Sequence, residues 1–168
     1  MKTRIHAKGL DPTFRLAMYG MIEYSMTKLI PSKRLRKNIE INVHMRSHEE
    51  SGEAMIDMFA NRKRPRSFRV ILDKSKMAFN DSGEERTEAE VGLEILKTLG
   101  HELVHVKQYA KGELTTDRTG ALRYNGVHYY VDTLLDYFEL PYEIEAYGRE
   151  KGLLVGFLAI WKHLEDEL

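Results

Sequence analysis

His101-Glu102-Leu103-Val104-His105 lies inside a proline-free stretch, Glu88 to Tyr109, rich in Glu, Leu, Ile and Lys, with Gly112 placed to end a helix. On a helix, residues four apart project from one face, so both imidazoles can reach a single metal ion. Glu102 falls about 100° round the helix, within reach of a water on that ion but not in line to ligate it. With His101 at zero, His105 falls near 40°, whereas Ile95, Leu99, Leu103 and Val106 centre at roughly 160°. The spacing therefore predicts a helix that packs its back on a core and turns its histidines into a cleft. Two histidines and an adjacent carboxylate in that setting are the parts of a hydrolytic site: a metal-activated water and a general base to take its proton.

The rest of the chain sets bounds on this reading. At 168 residues, with 42% hydrophobic and 31% charged residues, the chain suits one soluble domain spanning 1–168. Formal net charge is zero, so no global field draws it to nucleic acid or membrane. The absence of cysteine removes disulfides and thiolate zinc sites together, leaving His and carboxylate side chains as zinc ligands. Met1 to His6 is charged and lacks the apolar core of a signal peptide, and the longest apolar run, Leu153 to Trp161, is interrupted by Gly156. A cytoplasmic location is the expectation.

Asp11-Pro12 reads as an N-cap and first helical residue, opening a helix that Pro31 closes after Ile30. Ile39 to Met45 alternates as a half-buried strand, Ala54 to Phe59 is a second candidate, and Phe68 to Leu72 a third; Asn80 to Gly83 is loop. Thr115 to Gly120 reads as a polar connection. Leu122 to Val131 suggests extended chain or a hairpin around Asn125-Gly126. A last helix runs from Pro141 to about Leu164. Strands that gather before the site helix predict an α+β fold: a small, mostly antiparallel sheet of about three strands, packed with an N-terminal helix, the HExxH helix and a C-terminal glutamate-bearing helix.

A catalytic zinc takes three protein ligands and keeps one position open. The candidates for the third are His128, His163, Glu143 and Glu145. On the last helix Glu143 shares its face with Ala146, Tyr147, Leu154, Phe157, Leu158 and Trp161, so it points inward, where a metal would offset the cost of a buried carboxylate. Glu145 lies about 200° away, beside Gly148, Gly152 and Gly156, a smooth strip expected to admit another element closely. Glu150 also faces inward, as for a structural ion pair. Tyr147 suits core packing, a hydrogen bond to a ligand or oxyanion stabilisation. Glu143 is the favoured ligand; Glu145 and His128 remain alternatives. His6, His44, His48 and His163 have no partner spacing and are read as surface or fold residues.

His101 to His105, followed by Val106-Lys107-Gln108, resembles the active-site helix of zincin metallopeptidases. Glu143-Ile144-Glu145-Ala146 resembles the glutamate helix of the gluzincin branch, which includes thermolysin and the CAAX-type membrane proteases. In size and layout the chain is similar to small SprT-like and phage-encoded metallopeptidase-like proteins, over its C-terminal half from about Glu88. The resemblance implies a compact zincin-like fold, zinc on His101, His105 and Glu143, Glu102 as the catalytic base, and peptide-bond hydrolysis on a peptide or protein substrate. It departs where many relatives carry an Asp four residues after the ligand glutamate: Tyr147 follows Glu143, and Arg149 follows Glu145. Two basic runs, Lys33 to Lys37 and Asn61 to Arg66, point to weak nucleic-acid contact as a second reading. A zinc-stabilised binding module without catalysis is a third.

Overall fold

The computed structural model describes residues 1–58, 60–61, 64–80, 82–116, 121–130 and 132–166. Strand β1, Lys2–His6, leads into helix α1, Pro12–Leu29, and then a short helix α2, Lys33–Lys37. Strands β2 (Glu40–Met45), β3 (Gly52–Ile56) and β4 (Ser67–Leu72) follow, and after a single 3-10 turn at Lys74–Met77 comes helix α3, Glu88–Lys111. Three short strands, β5 (Leu114–Thr116), β6 (Leu122–Tyr124) and β7 (Val127–His128), precede helix α4 (Leu134–Phe138) and the long helix α5 (Pro141–Asp166).

Local chemistry places the helix ends where the sequence puts them. Asp11 caps α1 by accepting from Phe14 N–H at 2.8 Å, with Pro12 in the first turn. Thr87 and Glu90 form a reciprocal capping box at the start of α3, and Gly112 ends it in the left-handed conformation, φ 77°. The Asn125-Gly126 turn has φ of 49° and 82°, both positive, as a tight hairpin between β6 and β7 requires.

The main sheet is mixed, in the order β1-β2-β4-β3, and this corrects the mostly antiparallel expectation. β1 pairs parallel with β2, and β2 parallel with β4; only β3 runs antiparallel, to β4. β1 escapes a reading by periodicity because Lys2, Arg4 and His6 are exposed on an outer edge and only Ile5 is fully buried. Once β1 exists, α1 is the crossover between parallel neighbours, so the polarity of the first pair follows from connectivity. Arg15 on α1 fastens that crossover, donating to the Ile5 and Ala7 carbonyls at 2.8 Å each.

Ile41, Val43, Phe68, Val70 and Leu72 form the sheet's inner face, in one core with Met18, Met21, Ile22 and Met26 of α1 and Leu99, Leu103 and Val106 of α3. α3 is buried on every side from Thr98 to Ala110, its back on the sheet core and its histidine side beneath α5. α3 is therefore a central helix, with its back on the core and its histidines lining a cleft, as its pattern predicts. Of the three α5 glycines, only Gly156 meets a neighbour, the Tyr24 hydroxyl of α1; Gly148 and Gly152 face open space, so the expected strip of close approach is not formed. Among the described residues no helix is long and apolar enough to cross a membrane. Phe59, Arg62, Lys63, Asp81, residues 117–120 and Val131, which fall in segments read above, lie outside the described residues.

Candidate metal centre and its cleft

α3 and α5 cross so that His101, His105 and Glu143 converge. His101 Nε2 lies 3.2 Å from Glu143 Oε2, His105 Nε2 lies 3.5 Å from Glu143 Oε1, and the two Nε2 atoms are 3.2 Å apart. All three residues are buried, and together they could hold a metal ion. The spacing itself fits. Two donor atoms about 2.05 Å from one ion at the tetrahedral angle stand about 3.3 Å apart.

The opposite ring nitrogens settle which atoms are free to ligate. His101 Nδ1–H donates to Glu150 Oε2 at 2.9 Å, and His105 Nδ1–H donates to Gln108 Oε1 at 2.8 Å. Each bond fixes a ring and turns its Nε2 toward the shared point, which is how carboxylate and amide partners orient histidine ligands. Glu150, one turn beyond Tyr147 on α5, is thus the carboxylate that holds the His101 ring. Gln108 is in turn held by its Nε2, which donates to the Tyr142 carbonyl at 2.9 Å and to Glu145 at 3.1 Å.

Glu145 faces away from the histidines. Its carboxylate receives Lys107 Nζ at 2.7 and 2.9 Å and Arg149 Nε at 2.9 Å. Those cations hold its pKa down to about 2 against the opposing effect of burial. Glu143 is held down to about 2 by its hydrogen bonds to the two imidazoles, again against burial, and His101 is raised to about 9 by Glu143 and Glu150. The electrostatics thus stabilise a carboxylate anion facing a cation at this point.

Glu102 lies beside the cluster, 5% exposed and outside the ligand set. Burial pushes its pKa up to about 7, offset in part by the histidines and by a hydrogen bond from the Ala54 backbone. Its side chain rests against β3: a Cβ on Gly52 would stand 2.7 Å from Glu102 Oε1. Two adjoining cavities, of about 530 and 350 Å³, share His101, Glu102, Gly52, Glu50 and Tyr137. Tyr137 of α4 reaches Glu143 by charge and hydrogen bonding, which with burial raises its pKa.

His128 does not join the site; its ring sits on β7 against Tyr130, 4.6 Å between centroids. His163 is exposed on α5, His6 stacks on His44 at 4.4 Å, and His48 pairs with Glu53 at 2.8 Å. Tyr147 sets its ring edge-on to His101 at 4.6 Å. Gln108, Gly52 and Tyr137 are the site residues whose roles were not read from sequence; Glu150, expected in an ion pair, has His101 as its partner. Gln108 and Glu150 carried a usable signal, one turn from His105 and two turns from Glu143 on the same faces; Gly52 and Tyr137 arrive by tertiary packing alone. Comparison with protein-family models, with curated proteins and with solved structures found no match to this chain.

Proposed function

We propose that this protein is a zinc-dependent peptidase of the zincin type, with His101, His105 and Glu143 as ligands and Glu102 as general base. The observation that carries the reading is the placement of a buried, high-pKa carboxylate, outside the ligand set, in the same cleft as a three-residue donor cluster of tetrahedral spacing. Bound zinc would supply Lewis acidity, bringing a water's pKa toward neutrality. Glu102 accepts the proton of the attacking water and returns it to the leaving amine. Tyr137, whose hydroxyl hydrogen-bonds Glu143 in the same cleft, would donate to the oxygen on which charge develops once substrate is bound.

The sheet supports a peptide as substrate. Asp57 N–H pairs with Ser67 O and Asp73 N–H with Ser51 O, so odd-numbered residues of β3 bond to β4. Gly52, Ala54 and Ile56 then direct their backbone groups outward from the sheet's edge. Gly52 and Ala54 line the smaller cavity, where an extended chain can add as a further strand beside Glu102. Less supports the nucleic-acid reading: Arg66 donates to the Pro65 and Ala110 carbonyls and Arg36 to the Ile30 carbonyl, structural tasks within the fold.

The test is zinc content by elemental analysis, paired with mass-spectrometric mapping of cleavage in a peptide library. About one zinc per chain and cleavage that Glu102→Gln abolishes with zinc retained are expected. A zinc-replete wild type that cleaves nothing across the library would overturn the enzymatic reading, and loss of zinc in Glu102→Gln would overturn the role given to Glu102.

A further inference from the structure

The lining of the larger cavity joins two unlike sets of groups. Glu50, ahead of β3, and Asp132, ahead of α4, are exposed carboxylates that pair with no cation among the described residues. The one lysine on the lining, Lys97, is spent on Glu94 at 2.6 Å. The same lining carries Tyr137, Phe138 and Tyr147, with ring centroids 5.6 Å apart at each step and exposures of 36, 47 and 42%. The carboxylates and the rings line the same cavity. Tyr147 also packs on His101, so the aromatic set abuts the metal centre.

We propose that this cavity is a subsite for an arginine or lysine side chain of the bound peptide, a specificity determinant that rests on the peptidase reading above. A guanidinium satisfies both sets together, its face on an aromatic ring and its N–H groups toward Glu50 and Asp132. An apolar side chain would cover the rings and leave the carboxylates facing it without partners. An acidic side chain or a phosphate is repelled. Zero net charge over the whole chain conceals this local negative field.

The experiment uses the zinc-loaded full chain carrying Glu102→Gln, so that peptides bind without being cut. Calorimetry compares matched peptides that carry arginine, neutral citrulline or glutamate at one position. The arginine peptide should bind about tenfold more tightly than its citrulline twin, with the difference shrinking as salt rises. Adding Glu50→Gln and Asp132→Asn should remove the difference; both residues are exposed, and an unchanged melting temperature verifies the fold. Equal binding of the arginine and citrulline peptides, or no binding of either, overturns the subsite. The same peptides are then offered to the wild-type enzyme. Arginine-selective binding without cleavage would remove the peptidase reading and leave the subsite standing; cleavage without preference for basic side chains would do the reverse.

Discussion

Glu143 and Glu145 stand two residues apart on α5, and alanine at each should produce opposite phenotypes. Lys107 has only 7% of its side chain exposed and is neutralised by Glu145 and, at 2.7 Å, by Glu113. Breaking a buried pair costs about 3–5 kcal/mol; with Glu113 still in place, about 2 kcal/mol is expected for Glu145→Ala. In a domain of this size that lowers the melting temperature by roughly 6 °C, with or without metal. Zinc at a hundred times its Kd stabilises the folded state by about 2.7 kcal/mol, roughly 8 °C on the same scale. That zinc-induced rise should persist in Glu145→Ala and vanish in Glu143→Ala, which keeps Lys107 paired but loses a ligand. Scanning calorimetry with and without zinc reads both effects. A zinc-induced rise that survives in Glu143→Ala and disappears in Glu145→Ala would refute the ligand assignment, and an unchanged melting temperature in Glu145→Ala would refute the role given to Lys107.

Glu150→Gln replaces the carboxylate that orients His101 and should weaken zinc affinity about 10–100-fold, read by competition with a chromogenic chelator; unchanged affinity would remove its orienting role. Gly52→Ala drives a methyl against Glu102 Oε1 and Thr98 Cγ2, each 2.7 Å from the new carbon, so turnover should fall at least tenfold while zinc stays bound. Full activity in that variant would show that Glu102 need not sit against β3. Asp73 accepts from Ser75 N–H at 2.9 Å, Ser75 Oγ at 2.7 Å and His48 N–H at 2.8 Å, pinning the loop before β3. Asp73→Ala should cost about 1–2 kcal/mol in urea denaturation at neutral pH. The Ser75 hydrogen bonds lower the Asp73 pKa in the folded state, so its contribution is present above the unfolded carboxylate pKa and is lost as pH falls through the folded value. The gap between wild type and variant should therefore close in acid, and a gap that widens would reverse the assignment.

What could be read in the sequence was local. The turn at Asn125-Gly126, the caps at Asp11 and Gly112, and the inward direction of Glu143 depend on a few residues and a helical period, and each is found in the fold. The polarity of the main sheet depends on β1, whose five residues bury one apolar side chain fully and so carry almost no periodic signal. Tyr137 and Gly52 reach the cleft from segments far from α3, one through the docking of α4 and the other at a strand edge, and no spacing connects either to His101.

The glycines show why a correct physical rule can still be applied to the wrong helix. Smooth surface is needed only where another element comes close. The periodic glycines of α5 drew attention, yet Gly148 and Gly152 meet nothing within 4 Å. A tight contact is at Gly100, the residue before His101. A Cβ there would come 2.8 Å from Met21 Cε and 3.7 Å from the Glu150 carbonyl. A methyl at Gly100 would thus stand in ordinary contact with the α5 backbone and press only on the flexible end of Met21 of α1. A lone Gly inside a helical pattern reads as a weakness of the helix; here it leaves room for the Met21 side chain of α1 beside the turn that carries His101.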